Sequence, residues 1–194
     1  MRAGLNIVGL HIVCALAIVA GAAWADPATR IGASYYYIDG ASALILTAQM
    51  DSNGPTSDDG RHHPALTKWD VQWRFRHNMY GDVCKMEKIG VMVGVTTIRP
   101  RWRGEKQGAE ALRERWKSMI EAIDRNEAYH KQEAIEAGRK IENALNDIEP
   151  TETCEALTEA ANEAAEGILA EHKKASREHN ETTDYGRKNG VSLI

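Results

Sequence analysis

Asn126, Glu127 and His130 hold positions where apolar residues are expected, and their types and spacing suit hydrolytic chemistry. A glutamate three residues ahead of a histidine puts a carboxylate and an imidazole on one face of a helix. The first can polarise water and the second can bind a metal. Around them runs an apolar stripe, Trp116, Ile120, Ile123, then Ala134, Ala137, Ile141, Ala144 and Ile148, in steps of three and four residues. Glu127 and His130 continue that spacing through the gap in the stripe, and Asn126 borders the same face. Burying such groups is costly unless they are hydrogen-bonded, paired or ligated. Two readings follow. One is a buried network that sets the register of packed helices, with Glu127 paired to Arg125, Lys131 or a histidine opposite; the other is a metal site.

The positioning elements can be read from the pattern. Glu105 to Asp147 reads as one long helix with Gly138 its weak point, stopped by Pro150. Thr151 caps a second helix running to about Asn180, whose stripe is Cys154, Leu157, Ala161, Ala164, Ile168, His172, Ala175 and His179. Helices joined by a tight turn pack antiparallel, and a turn at Pro150 sets His130 level with about residue 170, within reach of His172. His179 lies two turns further along the same face. Before the helices, Arg30 to Gly40 reads as a short strand with Tyr35, Tyr36 and Tyr37. Ala41 to Met50 follows as a helix capped by Ser42, then Asp51 to Pro64 as a loop containing His62 and His63. Those two histidines are a weak metal pair, since adjacent side chains do not share a direction. Lys68 to Arg76 alternates, with Trp69, Val71, Trp73 and Phe75 on one side. Val83 to Ile98 is a long strand or a bulged pair, with Gly90 and Gly94 as bulge candidates. The expected class is α+β: a small, mostly antiparallel sheet packed on a long antiparallel helix pair.

Residues 1–25 read as a signal peptide: Arg2 at the start, an apolar run from Leu5 to Ala20, and Ala23-Trp24-Ala25 as a cleavage site. The remaining residues, 26–194, form one domain, expected in the periplasm or outside the cell, with no membrane span after cleavage. That part keeps Cys84 and Cys154, and an even pair in an exported protein implies a disulfide. The chain's net charge of −4 argues against nucleic acid or an anionic membrane surface as partner. There is no Gly-x-Ser-x-Gly elbow and no phosphate-cradling glycine loop.

Asn126-Glu127-Ala128-Tyr129-His130 resembles the His-Glu-x-x-His zinc motif with its first histidine replaced. The tyrosine strand, Asn53-Gly54-Pro55, Trp69-Asp70-Val71-Gln72-Trp73-Arg74, Cys84 and Arg99-Pro100-Arg101-Trp102 extend the likeness. So do Thr153-Cys154-Glu155-Ala156-Leu157 and Thr183-Asp184-Tyr185-Gly186. In combination they resemble a bacterial family of secreted proteins of unknown function predicted to be zinc-dependent proteases. The resemblance implies a minimal zincin-like fold, a peptide or protein substrate or partner, and zinc as cofactor. It also implies that Glu127 polarises water, and that Asn126, His130 and Tyr185 stand at ligand positions. Asn126 and Tyr185 depart from the family's histidines, and an amide oxygen is a poor zinc donor beside an imidazole. The expectation is a degenerate member with peptidase activity weak or lost and a binding or structural role in the cell envelope. Its alternative is a working metallopeptidase that recruits His172 or Tyr185 as replacement ligands.

Overall fold

The computed structural model describes residues 27–57 and 60–194. The expected signal peptide lies outside the described residues. Strand β1 (Ala28–Ile38), helix α1 (Ala43–Asn53), strands β2 (Leu66–Tyr80) and β3 (Val83–Trp102), and helices α2 (Glu110–Asn146) and α3 (Cys154–Thr183) follow in order, giving a mixed α+β fold.

Strands β2 and β3 form an antiparallel hairpin whose two-residue loop starts with Gly81, at φ 64°. The sheet order is β1-β3-β2, and β1 runs parallel to β3. This corrects the expected mostly antiparallel sheet. β1 and β2 run in opposite directions, but the 20-residue β3 inserts between them, so the central strand has one parallel and one antiparallel neighbour. The register shift lies at Arg76/His77, not at Gly90 or Gly94. Those two glycines give room to cross-strand partners: a Cβ on Gly94 would lie 2.6 Å from Asp70 Oδ1, and one on Gly90 would lie 3.5 Å from Arg74 Nε.

Helix α2 spans 37 residues because its apolar stripe is continuous enough to serve two cores. Its first half packs Leu112, Trp116, Met119 and Ile123 against Ile38, Leu46, Met50 and Trp102, with Val191 and Leu193 of the C-terminal segment. Its second half packs Ala134, Ala137, Ile141 and Leu145 against Val71, Val91, Val93 and Val95 of the sheet and Ala161 and Ala165 of α3. The 3-10 turn at Glu105–Gln107 stands apart from α2, so the helix starts later than its pattern suggests.

Thr153, rather than Thr151, caps α3 by accepting from the Ala156 N–H at 3.1 Å. Thr151 instead exchanges two backbone hydrogen bonds with Cys84, which brings Cys84 against Cys154. The Cys84–Cys154 disulfide is formed and closes a separation of 70 residues, a constraint worth about 4 kcal/mol in the chain-entropy account.

Gly138, read from sequence as a weak point, is where α2 touches the sheet: a Cβ there would lie 2.3 Å from Val93 Cγ2. Val93 is fully buried and β-branched, so it has little room to yield. Gly138→Ala should therefore lose stability by about 1–2 kcal/mol despite the better helix propensity of alanine. A lower urea midpoint at unchanged slope is the expected reading.

Candidate functional site

Asn126, Glu127 and His130 fall between the two apolar cores of α2, and all three are buried. Buried polar groups in such a gap must satisfy one another. The Asn126 amide does most of this. Its Nδ2 donates to Glu127 Oε1 at 3.2 Å, and its Oδ1 accepts from His179 Nε2–H of α3 at 3.1 Å. The His179 ring stacks on Tyr129 at 3.9 Å and meets His130 edge-on at 5.3 Å.

The remaining neighbours come from α3 and β2. The Asn180 side chain hydrogen-bonds to His130, and both the side chain and the backbone of Thr67, near the start of β2, face the Glu127 carboxylate. Burial raises the Glu127 pKa, with Thr67, Asn126 and His179 pulling the other way. Burial lowers the His130 pKa. Burial, helped by the His130 charge, also lowers that of His179. The pocket therefore favours neutral imidazoles and holds the carboxyl proton more tightly than water does.

The segment after α3 closes over Asn126. Asp184, Tyr185 and Gly186 take left-handed conformations at φ 49°, 52° and 81°. A side chain at Gly186 would need its Cβ 2.9 Å from Asn126 Cγ, so glycine is required there for close approach as well as for φ. Thr183 Oγ1 donates to the His179 carbonyl and accepts from the Gly186 N–H, tying the histidine's turn to the closing segment. The Tyr185 ring stacks on His63 at 3.5 Å and lines the same groove as His130. His62 bonds through Nδ1 to the Gly54 carbonyl at 2.6 Å. The two loop histidines thus serve different partners.

His172 does not approach His130. Its Nδ1 meets Glu133 Oε2 at 2.7 Å, and its buried Nε2 has no hydrogen-bond partner. The contacts Glu133–His172 and Asn126–His179 show why the expected register was off. The chain does not turn at Pro150 itself but runs on to Thr153 before α3 starts. That slides α3 along α2 by about five residues, roughly one and a half turns. His179, ranked below His172 from sequence, becomes the histidine at the site. Its place on the α3 stripe was the signal. Thr67 and Asn180 carried no such signal, because nothing local marks them.

These residues do not match a catalytic zinc, which takes three protein donors and leaves one position open. The Asn126 amide oxygen is held by His179, the His179 Nε2–H is turned onto that oxygen, and the Tyr185 ring is stacked on His63. Among the described residues, the one His/Cys/Asp/Glu group with donor atoms in metal-binding proximity is His77, Cys84 and Cys154, and its two sulfurs are bonded to each other.

Residues 33–186 match a family described as a bacterial protein of unknown function, DUF922. The chain belongs to that family. No curated protein and no solved structure matches it. The matched stretch runs from β1 to Gly186, so the whole Asn126 network belongs to the family region. No helix among the described residues is long and apolar enough to cross a membrane.

Stability should fall as pH drops below 6.5, the ordinary histidine value, because the unfolded chain takes up protons that buried His130 and His179 resist. Glu127 acts with the opposite sign above 4.5, since the folded state keeps its proton to higher pH than the unfolded chain does. Glu127→Gln removes that opposing contribution. Thermal melts between about pH 7 and pH 5 should show a steeper acid loss in the variant than in the native protein.

Proposed function

We propose that this chain is an exported, zinc-protease-like protein that no longer hydrolyses peptides and acts in the cell envelope by binding them. The observation that carries this reading is the Asn126 amide. It stands at the first position of the motif and is hydrogen-bonded on both sides, to Glu127 and to His179. A water-polarising glutamate needs a metal beside it, and here its neighbour is an amide donor. The zincin-like reading of the fold is supported by the motif helix lying against the sheet near the start of β2. The binding role is supported by a groove of about 750 Å³ beside the motif, lined by His130, Thr67 and Trp69.

A second reading, a working metallopeptidase with replacement ligands, is favoured by the His130–His179 contact rather than by His172 or Tyr185. It requires His179 to leave Asn126 and turn toward a metal shared with His130.

Elemental analysis after dialysis against trace zinc separates the two. The native protein should retain far less than one zinc per chain. Asn126→His should raise the content to about one, because it restores histidines four residues apart on one helix face. One zinc per native chain that is lost in His130→Ala, with peptide hydrolysis abolished by Glu127→Gln, would overturn the non-catalytic reading.

A further inference from the structure

The groove beside the motif has a wall that a peptide backbone can read. Strand β2 is an edge of the sheet, paired with β3 on one side only. Further along β2, Trp73 bonds to Asn162 and His77 to Thr158, so α3 holds that part of the strand. At its start the strand opens instead: the consecutive residues Leu66, Thr67, Lys68 and Trp69 all line the groove. Alternate strand residues point to opposite faces, so four in a row mean that the strand's edge itself forms the wall. The Thr67 backbone meets the Glu127 carboxylate, and no backbone–backbone hydrogen bond reaches that edge from outside the sheet among the described residues.

The opposite wall is α3, and it carries the chemistry. Lys173 and Arg177 lie one helical turn apart there, about 6 Å along the axis. Side chains on one face of an extended strand repeat at about 7 Å, so two such carboxylates can meet the two cations in register. Among the described residues, Lys68, Lys173 and Arg177 line the groove with Glu181 and Asp184, so the α3 wall carries cations on a chain of net charge −4. Between the walls, Ser176 lines the groove with an exposure of 8% and a hydroxyl that has no hydrogen-bond partner. A buried hydroxyl left unpaired is costly, and a peptide group in the groove would satisfy it.

We propose that this groove takes an extended peptide bearing carboxylates at alternate positions, its backbone paired with the Leu66–Trp69 edge wherever Glu127 does not already hold it, and its carboxylates with Lys173 and Arg177. The proposal rests on the peptide-binding reading above and names the ligand class of that site. β-Strand addition supplies affinity through the main chain, and the two cations select the acidic sequence.

The test is calorimetric titration of the purified, disulfide-bonded protein with acetyl-(Thr-Glu)4-amide. Its controls are acetyl-(Thr-Lys)4-amide and the acidic peptide N-methylated at alternate residues. The acidic peptide should bind saturably, and the lysine peptide and the peptide N-methylated on its pairing edge should each bind at least about tenfold more weakly. Lys173→Glu with Arg177→Glu should shift preference toward the lysine peptide at an unchanged melting temperature. If that pair disturbs folding, Lys173→Gln with Arg177→Gln should still weaken acidic binding. Equal binding of acidic and basic peptides, indifference to N-methylation, or no saturable binding would each overturn the assignment. Mass analysis of the recovered peptide keeps the two proposals apart. Cleavage would sink the non-catalytic reading and leave the groove standing, whereas absence of binding by a folded, metal-free protein would sink the groove assignment alone.

Discussion

The Asn126 side chain donates to Glu127 within α2 and accepts from His179 on α3, and the meeting of the two helices depends on it. A carboxyl group and two imidazoles in an otherwise apolar interface would each cost on the order of 1–3 kcal/mol if left unsatisfied. The amide donates to one of them and accepts from another, which ties groups on both helices into one network. It therefore fits one register of α3 against α2, and Gly186 closes down on it with no side chain of its own. The same bonding that makes the network stable keeps its donor atoms turned toward one another.

The two apolar cores explain how such a network can persist. Each half of α2 is anchored independently, one half by Trp102, Trp116 and the C-terminal segment, the other by the sheet valines and the alanines of α3. The polar gap between them is held from both sides, so the network need not supply much stability itself. Trp102 shows how closely the first core is tied to the strands, since its indole N–H donates to the Gly40 carbonyl while its ring packs on Trp116. The disulfide adds a further tie where β3 meets the start of α3.

Much of this was legible in the chain itself. The alternation from Trp69 to Phe75, the stripe from Trp116 to Ile141, and the Cys84–Cys154 pair all follow from local periodicity or from simple counting. The element types that build the mixed α+β fold could be named for the same reason. Glu127 and His130 could be marked as buried because helical spacing alone puts them on the apolar stripe.

What the sequence by itself determined is which face of each element is buried, since periods of two and 3.6 residues are properties of the local backbone. Even so, α3 buries Ala165 and Ser176 where the pattern pointed to Ala164 and Ala175. Only the tertiary structure decided which buried residues meet. Whether β3 would lie between β1 and β2 depended on pairing between strands far apart in the chain, and whether His172 or His179 would face His130 depended on how far the link runs past Pro150 before Thr153 caps α3. It depended equally on the Cys84–Thr151 pairing that fixes where that link sits. His172 and His179 lie two turns apart on one stripe, so a slide of α3 along α2 changes which of them nears His130 without altering the stripe. No local pattern contains that distance, because it is set by contacts between segments far apart in the chain.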